Sequence, residues 1–287
     1  MFVCIFLFDW GIVFGADGKI KCDCAFSIGP ACRPAQWLRK TKKRFQSSPL
    51  DWMMRYSLDT ALHFFENKFS DFFEDVEDTG EYSDDQRMVR DKKNGIVSMH
   101  HFNKKLSLGD AKSEVRNMML RRAKEVDNIL QNSDSIVLLC NRQKDSLSEL
   151  KKFIQGFSKL YPEKNITLMN VRSGGGNDPT RETVYSGKAA TKKKPKKKAQ
   201  RNNSKSKRKA AVQKKVTKKA AKKPAKKRAN QSKKLRIIEY CFNDVSPDTN
   251  KYPEWEGNPF GWKKVIEDIE LTNKFYNKNM NFKKVEF

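Results

Sequence analysis

The sequence predicts an α/β fold in which a mostly parallel sheet carries helices on both faces, a Rossmann-like arrangement. Two observations favour it. Short apolar runs alternate along the chain with longer amphipathic segments, and turn residues or polar clusters separate the two. The apolar runs are also continuous rather than alternating, which is typical of strands buried on both faces. The predicted strands span residues 22–28, 95–99, 135–140, 165–171 and 235–242.

The positive charge of the chain is concentrated in one segment. The 287 residues include 60 Lys and Arg against 34 Asp and Glu, a net charge of +26. Residues 188–234 hold 23 of the basic residues and no acidic one, which leaves 37 basic against 34 acidic residues elsewhere. We therefore predict a single near-neutral α/β domain, residues 21–175 and 235–287, interrupted by a disordered polybasic insertion at 176–234.

Residues 1–20 form an apolar N-terminal extension of uncertain role. Its apolar run is shorter than the roughly 20 residues that cross a bilayer, and Asp9 interrupts it, so no membrane association is expected. A cleaved signal peptide would explain it, as would an extra edge strand or a start codon placed upstream of the true one. The last two are favoured, because a signal peptide normally begins with basic residues.

The cysteines indicate reduced thiols. Six cysteines in a chain of this length do not make a disulfide scaffold, and most lie in apolar, strand-like runs. This predicts an intracellular protein, with secretion left open by the N-terminal extension. No CxxC pair is present, so neither a metal nor a cofactor is expected.

Apolar residues at helical spacing predict the helices. One helix begins near Pro34, and the stripe from Leu58 to Phe69 predicts a second with Ser57 as its N-cap. Ser146 has a Glu three residues later, the spacing of a capping box. Residues 74–91 are acidic and contain Gly and Ser, so they are predicted to form a loop. The remaining predicted helices span 111–130, 146–160 and 262–275.

Cys32 is the best candidate for a nucleophile. It follows the Gly29-Pro30 turn between a predicted strand and a helix, where α/β proteins place their chemistry. The positive end of the helix dipole and the adjacent Arg33 would lower the pKa of the thiol and favour the thiolate. Backbone N–H groups of the 29–33 turn would stabilise an oxyanion. The alternative is that Cys32 is a small buried hydrophobe that packs the turn.

Further polar side chains would meet Cys32 if the predicted strands are parallel, because their carboxyl ends then share one edge of the sheet. In a catalytic arrangement, His100 or His101 would take the proton of Cys32. Asp244 or Asn243 would fix the imidazole tautomer. The alternative is that strand ends are polar simply because the chain meets water there.

Two other functions are also open, and the first of them uses the same edge of the sheet. Gly29 and the following helix N-terminus, together with Arg142 and Arg172, could hold a phosphate or a nucleotide sugar, as in a transferase. In the other, the globular part is a non-catalytic scaffold associated with DNA, and the polybasic segment carries the function.

Several stretches of the sequence resemble a domain family of uncharacterised proteins, labelled "putative papain-like cysteine peptidase", from bacteria and large DNA viruses. The resemblance covers about residues 21–172 and 235–268. It implies a peptide substrate and a catalytic set of Cys32, one histidine of the 100–101 pair, and Asp244, in the papain order of Cys, His and Asn or Asp. The stretches are FSIGPACRPAQWLRK, QSSPLDWMMRYSLDTALHFF, KNGIVSMHHF, SIVLLCNR and LRIIEYCFND.

The polybasic segment repeats Lys-Lys doublets with Ala and Pro. It is similar to a linker-histone tail and to the lysine-rich basic adaptor segments of chlorella viruses, which implies a place in the host cytoplasm, the nucleus or the virion. It lacks aromatic residues to stack on bases. Non-specific binding to nucleic-acid phosphates or another polyanion is therefore predicted. The alternatives are a nuclear-localisation signal and binding to anionic lipid.

The basic residues predicted to contact the polyanion are Lys192, Lys193, Lys194, Lys196, Lys197, Lys198, Lys207, Arg208, Lys209, Lys214, Lys215, Lys218, Lys219, Lys222, Lys223, Lys226, Lys227 and Arg228.

Overall fold

A computed structural model describes residues 18–83, 85–192, 233–272, 274 and 275. The predictions for residues 1–17 and 193–232 lie outside the described residues. In chain order the elements are β1 Ile20–Cys22, β2 Cys24–Ser27, α1 Cys32–Lys40, β3 Met53–Met54, α2 Leu58–Glu66, β4 Val76–Ser83, β5 Gln86–Asp91, β6 Val97–Asn103, α3 Leu108–Asn132, β7 Ser135–Cys140, α4 Leu147–Leu160, β8 Asn165–Ser173, β9 Thr180–Lys188, β10 Lys234–Phe242, a 3-10 turn Glu254–Glu256, α5 Pro259–Glu267 and β11 Ile269–Leu271.

The predicted parallel sheet is confirmed. Its strand order is β2-β7-β8-β10-β9, and all neighbours are parallel except the edge strand β9. Side chains of β7 alternate between the two faces, as a strand buried on both sides requires. Ile136 and Leu138 pack with α2, α3 and α4, whereas Val137 and Leu139 pack with α1 and α5. Helices therefore cover both faces.

The predicted helix starts are supported by their caps. The Ser57 hydroxyl accepts a hydrogen bond from the Thr60 N–H, and Ser146 with Glu149 forms the predicted capping box. The last helix is shorter than predicted, since the chain leaves it to form β11 beside β1. In the part of the chain that the structure describes, none of the helices is both long and apolar enough to cross a membrane.

A second, antiparallel sheet corrects two predictions. Its strand order is β3-β6-β5-β4. The predicted strand 95–99 falls on β6 and does not join the parallel sheet, and the predicted loop 74–91 forms β4 and β5. β4 was missed because most of its described side chains are at least partly exposed, so an acidic, polar sequence suffices to form it.

The polybasic segment is inserted in a β-hairpin. β9 lies inside the predicted insertion 176–234, so that part of the prediction is wrong. β9 pairs antiparallel with β10, with Lys188 opposite Lys234, and the Ala189 N–H donates to the Lys233 carbonyl at 2.9 Å. The two ends of the segment therefore leave the domain side by side.

We expect a variant that replaces residues 193–232 with a short Gly-Ser linker to stay folded, because the hairpin ends already meet. A shorter loop costs less closure entropy, so the free energy of unfolding should stay equal or rise by about 1 kcal/mol. Urea unfolding followed by circular dichroism measures this. A non-cooperative transition, or a loss of several kcal/mol, would contradict the hairpin placement.

Candidate active site

The turn between β2 and α1 fixes the position of Cys32. Gly29 has a φ of +57°, and a Cβ there would lie 2.0 Å from the Tyr56 hydroxyl, so only glycine fits. The Asn141 N–H donates to the Gly29 carbonyl at 3.3 Å, which ties the turn to the end of β7. Cys32 is thereby held at the first residue of α1, with its thiol half-buried.

Cys32 lies beside His100. The Cys32 Sγ is 3.7 Å from the His100 Nε2, within hydrogen-bonding distance for sulfur. The two residues are 68 positions apart in the sequence, and Cys32 begins α1 whereas His100 lies in β6 of the antiparallel sheet. His101 takes no part in this contact, since its Nδ1 lies 2.8 Å from the Ser98 hydroxyl.

An irregularity in β6 accounts for the direction of His100. Ser98 pairs with Val89, and Phe102 pairs with Arg87. The two pairs are therefore two positions apart along β5 but four positions apart along β6. The residues between these pairs bulge from the ladder. Bulges often turn a side chain towards an active site, and here the bulge contains the histidine pair.

The electrostatics differ from the prediction for Cys32. Burial raises the pKa of the thiol to about 11, although the thiol also accepts a hydrogen bond from its own N–H, which acts in the opposite direction. Partial burial lowers the pKa of the His100 imidazole. At neutral pH the pair therefore rests as a thiol and a neutral imidazole, and the predicted lowering of the thiol pKa is wrong.

Arg33 does not favour the thiolate because its guanidinium is engaged elsewhere. Its Nη1 donates to Asp244 Oδ2 at 2.7 Å, and its Nε and Nη2 donate to the carbonyls of Trp255 and Glu254. The charge of Arg33 is balanced by a carboxylate instead of acting on the thiol.

In the part of the chain that the structure describes, neither Asp244 nor Asn243 forms a hydrogen bond with the His100 imidazole, so the predicted role of fixing its tautomer is not fulfilled. The buried Asp244 carboxylate accepts hydrogen bonds from four donors on four segments. They are Arg33, Asn141 Nδ2, Asn258 N–H and Trp262 Nε1.

Asn243 is turned away from Cys32. Its Nδ2 donates to Asn177 Oδ1 at 3.5 Å and its carbonyl accepts from Asn258 Nδ2. The site is thus a Cys–His pair, with Asp244 as an anchor behind it.

One face of α1 holds the segment 254–258 over the site. Arg33, Gln36, Trp37 and Lys40 follow helical spacing, so they lie on the same side of α1. Gln36 Nε2 and Trp37 Nε1 donate to the side chain and the carbonyl of Glu256, and Lys40 pairs with the same carboxylate. The helix that carries Cys32 thereby also fixes the loop that carries Trp255.

Sequence reasoning missed two tryptophans near His100, one that contacts its ring and a second that packs on the first. The Trp52 ring meets the His100 ring edge-on with 5.7 Å between centroids, and Trp255 lies 6.1 Å from Trp52. The Arg39 guanidinium covers Trp52 at 5.4 Å. Trp255 keeps 46% of its surface exposed, which is unusual for so large an apolar side chain. The pair forms an aromatic wall that begins at His100.

The two arginines of the phosphate-binding alternative are used inside the protein. The buried Arg142 donates to the carbonyls of Tyr56 and Ile28. Arg172 pairs with Glu239 at 2.6 Å and donates to carbonyls of residues 142–145. Neither guanidinium is directed at Cys32 in these contacts, which disfavours a phosphate site at this edge.

The described residues include no group of three or more His, Cys, Asp or Glu side chains that could hold a metal ion. Cys22, Cys24 and Cys140 are buried, and burial raises the pKa of each thiol, to about 12 for Cys24 and Cys140. Apart from Cys32, Cys241 is the one cysteine in the described ranges that is partly exposed.

Comparison with known proteins places the chain in a family. Residues 23–173, just over half of the chain, match the family described as "Putative papain-like cysteine peptidase (DUF1796)". The matched stretch includes Cys32, Trp52 and His100, whereas Asp244 and Trp255 lie beyond it. No curated protein and no solved structure matches the chain. The chain belongs to the family that this description names.

Proposed function

We propose that the protein is a cysteine-dependent hydrolase in which Cys32 is the nucleophile and His100 is the general base. The 3.7 Å contact between the Cys32 Sγ and the His100 Nε2 carries this proposal. A nucleophile within hydrogen-bonding reach of a base is the arrangement that activates a thiol. The family description supports a hydrolase.

The chemistry starts from the neutral pair. As the Cys32 Sγ attacks the substrate carbonyl carbon, His100 Nε2 takes the thiol proton and the carbonyl π electrons move to oxygen. The imidazolium then protonates the leaving amine as the C–N bond breaks, which leaves a thioester. Water attacks the thioester while His100 takes its proton, and the released thiolate takes that proton back.

The start of α1 offers the oxyanion donors. The backbone N–H groups of the first helical turn have no intrahelical acceptor, and Pro34 has no N–H to contribute. The Arg33 N–H remains for a developing oxyanion, and the Cys32 N–H would join it by leaving the hydrogen bond to its own Sγ. The helix dipole adds to this stabilisation, so the dipole would act on the transition state rather than on the resting thiol.

The aromatic wall favours a peptide substrate with an apolar side chain near the scissile bond. Trp52 and Trp255 offer flat apolar surface within reach of His100, and a substrate side chain packed on it would bury area worth about 25 cal/mol per Å².

We expect the Cys32→Ala variant to lose all cleavage of a peptide library, and His100→Ala to lose about 10²–10⁴-fold. Cys241→Ala is the matched control, because it removes the other half-buried thiol and should keep full activity. Mass spectrometry after treatment with a peptidyl chloromethyl ketone should place one adduct on Cys32. Wild-type protein that neither cleaves nor forms this adduct would refute the proposal, as would cleavage that survives Cys32→Ala.

A second proposed function is polyanion binding through the polybasic segment. The segment carries no acidic residue to neutralise its lysines. Both of its ends leave from one hairpin, so it can reach a partner without disturbing the sheet. Non-specific nucleic-acid binding in the host cytoplasm or nucleus, as its resemblance to chlorella virus adaptor segments implies, would bring the hydrolase to nucleoprotein.

We expect the full chain to shift a DNA duplex in a gel. If about ten lysines engage phosphates, a plot of the logarithm of the binding constant against the logarithm of the salt concentration should have a slope of roughly −9. The 193–232 replacement should lose most of this affinity while keeping its fold. Equal affinity in the replacement variant would rule out the segment as the main contact, and salt-independent binding would rule out phosphate neutralisation.

A further inference from the structure

A cationic cleft lies at the amino-terminal edge of the parallel sheet, far from Cys32. Its volume is about 550 Å³ and its charged lining is entirely basic. Five cations and two neutral polar residues line it, which are Lys19, Lys21, Lys233, Lys234, Arg236, Ser135 and Asn165.

The residues of the cleft come from the first positions of several strands. Lys19 and Lys21 lie at β1, Ser135 begins β7, Asn165 begins β8, and Lys234 begins β10. Hydrogen bonds join these strand starts: the Ser135 hydroxyl donates to the Lys21 carbonyl and the Lys234 N–H donates to Asn165 Oδ1. The cleft therefore exists only in the folded domain.

The strand spacing sets the width of the cleft. Neighbouring strands lie about 4.8 Å apart, and β7 and β8 lie between β1 and β10, so three strand spacings separate the cations of β1 from those of β10 by roughly 14 Å. Such a gap suits a row of phosphate groups, with the Ser135 and Asn165 side chains at its floor.

Little negative charge offsets these cations. Lys21 is paired with Glu270 at 3.7 Å, but both side chains are largely exposed, so the pair is weak. The Asp134 carboxylate has Lys274 as its close partner at 2.6 Å, which lowers its pKa, and Lys233 also lies near enough to help lower it. Within the described ranges, Lys19, Lys233, Lys234 and Arg236 form no ion pair with a carboxylate.

The cleft also adjoins the root of the polybasic segment. Lys233 and Lys234 are the carboxyl-terminal end of that segment and line the cleft. A polyanion that follows the segment towards the domain would reach this cleft first. Cys32 lies at the opposite edge, roughly 25 Å away along a nine-residue strand such as β10.

We propose that this cleft binds consecutive phosphates of a nucleic-acid backbone and anchors the nucleic acid against the folded domain, at the edge opposite the thiol. This inference rests on the proposed polyanion-binding function and assigns it a second, structured contact. Lysine and arginine side chains around the cleft would contact phosphate oxygens without reading the bases.

Thermal unfolding of the full chain with a short DNA duplex separates the two contacts. A ligand raises the melting temperature only if it binds the folded state more tightly than the unfolded one. The lysines at 193–232 are predicted from the sequence to be accessible in both states, whereas folding brings the lining of the cleft together. We therefore expect the duplex to raise the melting temperature of the wild type at low salt.

The variant Lys19→Gln, Lys233→Gln, Lys234→Gln should lose more than half of that rise, while its gel-shift affinity falls less than threefold. The matched control, Lys124→Gln, Lys144→Gln, Lys159→Gln, removes the same charge from exposed lysines elsewhere and should keep the rise. If the duplex raises the melting temperature of the cleft variant as much as that of the wild type, or if both variants lose the rise equally, the proposed binding of DNA to the cleft is wrong.

Two further arms complete the test. If inorganic polyphosphate of matched charge raises the melting temperature and the duplex does not, the cleft is not a nucleic-acid site. If the wild type shifts DNA in the gel but its melting temperature does not rise with the duplex, the proposed cleft contact is wrong and the polyanion-binding function stands. A wild type that shifts no DNA at all would refute the polyanion function from which the cleft was inferred.

Discussion

The buried carboxylate of Asp244 is the interaction on which the site depends. A buried carboxylate is stable only when cations and hydrogen-bond donors surround it, and Asp244 has four donors from α1, the residue after β7, α5 and the segment before α5. Gly257 must be glycine for the same reason, because a Cβ there would lie 2.1 Å from Asp244 Oδ1. Through Arg33 the carboxylate fixes the start of α1, and so the position of Cys32.

The contact of Cys32 with His100 joins two sheets that share one hydrophobic core. The parallel sheet and α1 position the thiol, and the bulge in β6 of the antiparallel sheet positions the imidazole. The sequence pointed to both residues, but it placed the histidines at the end of a parallel strand. Periodicity cannot reveal which sheet a short apolar run joins, nor a bulge formed by pairing with a distant strand.

Two other features of the site, the pKa of Cys32 and the aromatic wall, could not be predicted from the sequence because both arise from contacts made only in the fold. The pKa of Cys32 depends on burial in the fold, and the Arg33 guanidinium is held by residues more than 200 positions away. Trp52 and Trp255 meet only in the fold. The strands of the parallel sheet and the caps at Ser57 and Ser146 were predictable, because continuous apolar runs and cap spacing are local properties.

The central claim is that Cys32 and His100 form a neutral contact pair, and the ring nitrogens of His100 report on it directly. The chain has three histidines, so ¹⁵N-histidine labelling with single His→Gln variants assigns each ring. We predict that His100 titrates below pH 6.5 and that its Nε2 resonance moves when Cys32 is alkylated, while His63 is unaffected. A His100 that stays protonated above neutral pH would indicate a thiolate–imidazolium pair, and a resonance indifferent to alkylation would show that the contact is absent.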